Sequence, residues 1–264
     1  MQLKNLAIRS VSGIVLAAIL LGSVWLSDIS RYVVLGLIGL SCQWEFLRHV
    51  REEGVKVLIW FSLLVSVVIY TLYSCNSGFQ STEWLVYAAV LVPVIRFSME
   101  LYRKQERPMR PVAYELFSFV YAILPVMLLS SMDKSLIVIL FLLVWTNDVG
   151  AYLVGVTCGK HRLFERLSPK KSWEGFWGGL IFSVVLAFLA GNYFMEENPW
   201  LWGILGLVTV IAGVFGDLFE SMFKRSIGIK DSGRIIPGHG GFLDRFDALL
   251  FAAPCFWVFY AVLF

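Results

Sequence analysis

The sequence predicts an all-α polytopic membrane protein of about nine transmembrane helices, with a cytoplasmic N-terminus and the C-terminus on the outer side. Three observations predict it. Of the 264 residues, 58% are hydrophobic and 16% are charged, against about 45–50% and about 25% in soluble domains. Mean hydropathy is +0.75. Apolar runs of near-bilayer length recur along the chain, and about 20 apolar helical residues cross a hydrocarbon core of ~30 Å. The basic residues fall almost wholly on one side of the alternation that these runs create.

Nine candidate spans follow in order: 10–27, 32–48, 56–74, 84–99, 112–131, 135–156, 175–194, 199–222 and 246–264. Backbone polar groups in lipid must be satisfied internally, so the spans are expected to be helices. Lys4 and Arg9 precede the first run as they would in a signal peptide. No small-residue cleavage site stands out and further apolar segments follow, so the run reads as a first transmembrane helix. With a cytoplasmic N-terminus, the cytoplasmic segments carry Lys4 and Arg9; Arg48, Arg51 and Lys56; Arg96, Arg103, Lys104, Arg107 and Arg110; Lys160, Arg162, Arg166, Lys170 and Lys171; and Lys224, Arg225, Lys230, Arg234 and Arg245. Only Arg31 and Lys134 of the 22 Lys and Arg lie outside them. The split supports the positive-inside orientation and the odd span count together. The chain reads as a single membrane-embedded domain, 1–264. Helices within 1–131 carry little motif content, and 135–264 holds the candidate chemistry.

Cys42, Cys75, Cys158 and Cys255 are far apart, without a CxxC pair. They read as buried free thiols, suggesting neither a zinc site nor a disulfide framework. His49 and His161 stand alone among charges and read as solvated, with no assigned chemistry.

The richest polar run is Ser221–Asp247, SMFKRSIGIKDSGRIIPGHGGFLDRFD, set between two apolar segments. Its composition suits phosphates and a divalent metal at the water interface. Helical spacing puts Asp217, Ser221 and Lys224 on one face, with Glu220 and Arg225 beside them. An interfacial Glu220–Lys224 ion pair with snorkelling bases accounts for part of this. It does not account for Asp217, a turn deeper among apolar residues, where an acid is a functional candidate. Gly238-His239-Gly240-Gly241 offers backbone N–H groups to a phosphate, with a plain turn as the alternative. Asp244 and Asp247, three apart at the start of the last span, suit an oxygen-loving Mg²⁺ or a capping role at the helix N-terminus.

Asp148 lies well inside the sixth span, in Trp145-Thr146-Asn147-Asp148-Val149-Gly150-Ala151-Tyr152. After it come Gly159-Lys160-His161 and Ser168-Pro169-Lys170-Lys171-Ser172-Trp173-Glu174-Gly175. Lysines and hydroxyls beside glycines suit a triphosphate, with a positive-inside anchor as the competing account for the lysines.

The Ser221–Asp247 run resembles the signature of the phosphatidate cytidylyltransferases, the CDP-diacylglycerol synthases, of bacterial type. It carries Ser221, Lys224-Arg225, Lys230-Asp231, Gly233, Pro237-Gly238-His239-Gly240-Gly241 and Asp244-Arg245-Phe246-Asp247. The resemblance extends to Asp148-Val149-Gly150-Ala151-Tyr152, to Gly159-Lys160-His161 and to Ser168-Pro169-Lys170-Lys171-Ser172-Trp173-Glu174-Gly175, although family members often have Ala-Asp-Ser where this chain has Asn147-Asp148-Val149. It covers about the C-terminal half. It implies transfer of CMP from CTP to phosphatidic acid, giving CDP-diacylglycerol and pyrophosphate, with Mg²⁺ and a second metal or monovalent cation left open. It further implies membrane lipids as partners, no nucleic acid, a homodimer, and a bacterial cytoplasmic (inner) membrane with the site facing the cytoplasm.

On that resemblance Asp217 and Asp244 are the main metal ligands, with Asp148, Asp231 and Asp247 in or near the shell. The expected catalytic residues are Asp217, Asp244, Lys224 and Asp148. Ser221, Arg225, Lys230, Asp231, His239, Gly240, Gly241, Arg245, Lys170, Lys171 and Ser172 are expected to bind substrate. A transporter would gather its polar groups near the midplane of paired halves, and no second half matches the first here. A CDP-alcohol phosphotransferase would carry a DGxxAR-type motif, which this sequence lacks.

Overall fold

A computed structural model gives the protein's structure. It describes residues 2–75, 83–233 and 240–264, with side chains over 11–75, 87–233 and 240–264. The side chains of Lys4 and Arg9, and all of Arg234, Pro237, Gly238 and His239, lie outside the described residues.

The elements in order are α1 (Gln2–Leu26), α2 (Asp28–Glu52), α3 (Ile59–Cys75), α4 (Glu83–Arg103), α5 (Met109–Ser118), α6 (Leu124–Ser131), α7 (Lys134–Cys158), β1 (Arg162–Phe164), β2 (Ser168–Ser172), α8 (Trp173–Ala190), α9 (Pro199–Ser226) and α10 (Leu243–Leu263). Among the described residues, five helical stretches are long and apolar enough to cross a membrane: Met109–Ser131, Lys134–Cys158, Trp173–Met195, Pro199–Ser226 and Leu243–Leu263. Val11–Leu26 and Ile59–Cys75 are apolar but shorter. Large apolar side chains such as Trp60, Leu72, Val156, Phe215 and Val262 point outward, as expected where the surroundings are lipid and not water.

The all-α expectation needs one correction. β1 and β2 pair antiparallel, with Arg162 opposite Ser172 and Phe164 opposite Ser168. The segment between α7 and α8 is therefore a short hairpin. It is too short to leave an alternating pattern that hydropathy could reveal.

Local chemistry sets the helix ends. Ser27 and Ser30 form a reciprocal capping box at the start of α2. The Ser172 hydroxyl accepts from Gly175 N at 3.1 Å and caps α8. Asn198 caps α9, with Pro199 following at its first position, where a missing N–H costs no ladder bond. Between α5 and α6 a π turn at Phe119–Ile123 precedes Pro125. Proline removes a donor and its ring crowds the preceding turn. The ladder shifts accordingly, and Leu124 N bonds to Phe119 O.

In the C-terminal half α7 packs on α8, α8 on α9, and α9 on α10. Glycines permit the closest approaches. A Cβ on Gly216 of α9 would come within 2.5 Å of Asp247 O and 2.9 Å of Phe251 Cβ on α10. Neither atom can swing away, so Gly216→Ala is expected to push the two helices apart at a cost of about 1–3 kcal/mol. Thermal unfolding in detergent measures it, and an unchanged melting temperature would contradict the packing.

α10 also contacts α2 and α6, joining the two halves. The joint is aromatic. Phe46 of α2 stacks on Phe223 of α9 at 4.6 Å, and Phe117, Tyr121, Phe219 and Phe251 complete the cluster. Of the four cysteines only Cys42 is buried. The expectation of buried thiols fails for the exposed Cys75 and Cys158, which stand at helix ends.

Candidate active site

A polar cavity of about 490 Å³ opens between α1, α7, α9 and the start of α10. Asp148, Asp217, Glu220, Lys224, Asp231, Asp244, Arg245 and Asp247 line it. A second cavity of about 220 Å³ shares Asp148 and Asp217 with the first. Its other wall carries Lys170, Lys171 and Ser172 from β2, and Tyr152. The two acids therefore stand at the junction between the α9–α10 region and the hairpin. A larger cavity of about 640 Å³ among α3, α4, α5 and α6 is walled almost wholly by apolar groups. Its charged lining residues, Arg96 and Glu115, are already paired with each other. The acids and bases gather instead in the polar cavity.

The α9 face forms as helical spacing predicts. Ser221 Oγ donates to Asp217 Oδ1 at 3.4 Å. The other Asp217 oxygen pairs with Lys171 of the hairpin, linking the two sequence regions that carry the motifs. Asp148 interacts electrostatically with Asp217, Lys171 and Arg245, and Asp247 with Asp217, Asp148 and Lys171.

Lys224 is engaged more deeply than a phosphate-binding lysine in a loop. Its ammonium pairs with Glu220 Oε2 at 2.5 Å and donates to Asp244 Oδ1 at 2.7 Å. The anticipated Glu220–Lys224 pair is thus present, but inside the protein: Glu220 is 1% exposed, and its Oε1 has no partner among the described residues.

Asp244 is also largely committed. Its Oδ2 accepts from Ser232 N, Ser232 Oγ and Gly241 N, each at 2.9 Å. This carboxylate ties loop to helix. The Gly241 N–H, expected to face a phosphate, is used here. Gly240 has φ +84°, and a Cβ there would meet Asp244 Oδ2 at 2.5 Å. The glycine pair lets the backbone close on Asp244.

At the hairpin, Lys170 is exposed, Lys171 is half-buried against Asp217, and Ser172 is buried as the α8 cap. His161 is exposed, as expected, but its Nδ1 lies 2.6 Å from Glu174 Oε1. Glu174 also accepts from Lys160 N at 3.0 Å, closing the hairpin's base. Arg225, Lys230, Asp231 and Arg245 are exposed. Arg225 reaches Ile229 O at 3.3 Å, and Asp231 and Arg245 line the cavity.

Sequence reasoning missed Glu45 and His49. Glu45 on α2 is 1% exposed and accepts from Phe242 N at 3.0 Å and Leu243 N at 2.8 Å. His49 is buried, not solvated. Its Nε2 lies 2.5 Å from Ser232 O and its Nδ1 2.9 Å from Glu52. An acid inside the second apolar segment, one turn before a histidine, was a legible signal.

The donor set has the chemistry of a hard divalent cation site: Asp148, Asp217 and Asp247 supply carboxylate oxygens to one cavity. Among the described residues no three such groups gather closely enough to hold an ion by themselves.

The model of the Cytidylyltransferase family matches residues 7–263. The chain is 52% identical over 116 residues to the phosphatidate cytidylyltransferase of Staphylococcus aureus (strain COL), covering 43% of this chain and 44% of that protein. It is 45% identical over 112 residues to the protein of the same name from Mycobacterium tuberculosis (strain ATCC 25618 / H37Rv), covering 42% and 34%. The aligned stretch thus spans less than half the length of these curated relatives. Taken with the five apolar helices, the outward apolar side chains and a cavity of carboxylates and bases, these matches show an integral membrane protein that belongs to the cytidylyltransferase family.

Proposed function

We propose that the protein transfers CMP from CTP to phosphatidic acid, giving CDP-diacylglycerol and pyrophosphate in phospholipid biosynthesis. The observation that carries this is the convergence of Asp148, Asp217, Lys171, Lys224 and Arg245 on two cavities that share Asp148 and Asp217. A phosphate oxygen of the lipid attacks the α-phosphorus of CTP. The bond to the pyrophosphate oxygen breaks, and the leaving group departs as pyrophosphate. Both reactants are anionic, so the protein's task is neutralisation and in-line positioning more than acid–base chemistry.

Lys170, Lys171 and Arg245 hold phosphate oxygens, and Lys224 keeps Asp244 in place while lending positive charge to the cavity. Asp217, Asp148 and Asp247 would hold Mg²⁺, which would supply charge neutralisation at the transferring phosphoryl group. Asp244, with both oxygens engaged, orders the loop. The resemblance and the one-sided distribution of Lys and Arg support nine spans, a cytoplasmic N-terminus and a site on the cytoplasmic face of a bacterial inner membrane. A homodimer rests on the resemblance.

Radiolabelled CTP and phosphatidic acid test the reaction with the purified full chain, against dCTP and other nucleotides. Label passes into a lipid-soluble product when Mg²⁺ is present, and chelation stops it. No transfer from CTP to lipid would overturn the reading.

A further inference from the structure

Glu45 caps a helix that is not its own. The N-cap position of α10 is Phe242, which makes no side-chain cap bond. The first N–H groups of that helix turn instead to α2, where Glu45 Oε1 accepts from Phe242 and Oε2 from Leu243. Oε2 also lies 3.2 Å from Ser232 Oγ. A buried carboxylate is costly unless hydrogen-bonded, and a helix N-terminus offers both donors and a favourable dipole.

The same residue shapes the chain around it. A Cβ on Gly233 would meet Glu45 Oε1 at 2.9 Å, and one on Gly241 would meet Oε2 at 2.5 Å. One turn along α2, His49 holds the Ser232 carbonyl. Ser232 in turn binds Asp244, and Asp244 binds Lys224. The bonds run without a break from a helix outside the motif-bearing half to a lysine in the polar cavity. A cap needed only for stability could be a local Ser or Asp at position 242. Here the cap comes from across the fold and grips both sides of the polar loop.

We propose that Glu45, supported by His49, is a positioning residue for cytidylyl transfer. It sets residues 231–233 against 240–244, and so places Asp244 and Lys224 in the cavity. The proposal rests on the reaction proposed above.

The full chain in lipid nanodiscs provides the test, through kcat, KM and amide hydrogen exchange for Glu45→Ala, Glu45→Gln and the exposed control Glu53→Gln. In Glu45→Ala, kcat falls about ten- to a hundredfold, the range for losing a supporting contact or for a small misplacement of reacting groups. KM for phosphatidic acid stays near wild type. Exchange accelerates at Phe242 and Leu243 while the interior of α7 and α8 keeps its protection, and Glu53→Gln behaves as wild type. Wild-type kcat with faster exchange would make Glu45 a stabilising cap only and overturn the proposal. Wild-type exchange at Phe242 and Leu243 would overturn it as well.

If Glu45→Ala does not fold, Glu45→Gln decides. It keeps the shape and one acceptor, so a kcat below wild type with faster exchange at Phe242 and Leu243 supports the proposal, and wild-type kcat sinks it. A wild-type chain that makes no CTP-dependent lipid product would instead sink the reaction itself, while exchange at Phe242 and Leu243 would still report the clamp.

Discussion

Asp217→Asn lowers CTP-dependent product formation by about 10²–10³-fold, the range seen when one preorganised electrostatic group is removed from a reaction centre. Asparagine keeps the size of the side chain and an acceptor for Ser221, whose hydroxyl lies 3.4 Å away. What it removes is charge. Asp217 stands where the two cavities meet, and its carboxylate is the partner of Lys171 from the hairpin. Neutralising it frees that lysine and takes away an oxygen suited to a divalent cation. Turnover of the purified variant, set beside its melting temperature, separates lost chemistry from lost fold. A variant near wild-type turnover would remove Asp217 from the site. Lys171→Met should also be impaired, and the double variant should lose less than the sum of the two, because the residues act as a pair.

Arg96→Met destabilises the protein by about 3–5 kcal/mol, as expected when one member of a buried ion pair is removed. Arg96 is 1% exposed on α4. Its Nε donates to Glu115 Oε2 at 2.5 Å and its Nη1 to Glu100 Oε2 at 2.7 Å. Without the guanidinium, the buried Glu115 carboxylate loses its cation, and Glu100 keeps only Arg103, whose Nη1 lies 3.1 Å from Oε2. Glu115 also accepts from Leu58 N at 2.6 Å, so it joins the start of α3 to α5. Arg96→Met with Glu115→Gln removes a charge while keeping an acceptor for Leu58, and should regain part of the loss. A melting temperature unchanged in the single variant would show that the network contributes nothing. In sequence Arg96 reads as one more base in a cytoplasmic loop, but it lies within a helix and is spent on packing.

The helical character of the chain was legible because apolar runs of bilayer length leave few alternatives. The candidate acids stood out for a related reason: Asp148 and Asp217 interrupt those runs, and Asp247 stands at the start of the last one, where an acid is expensive. Helical periodicity also placed Ser221 and Lys224 on the Asp217 face. The hairpin was not legible, since two strands this short make no repeat. The roles of Lys224, Asp244 and Gly241 were legible only in part. Spacing shows that such groups can face a phosphate, but not that they first satisfy one another.

By itself, then, the sequence determined the largely helical class, the apolar character of its helices and the pool of acids and bases. Those follow from composition and periodicity, which are local. Only the tertiary structure decided which charge meets which. Lys171 of the hairpin reaches Asp217 on α9 past the whole of α8, and Glu45 caps α10 from the other half of the chain. Such contacts join residues far apart in sequence. They depend on how glycine-faced and aromatic-faced helices pack, and no window of the sequence encodes that.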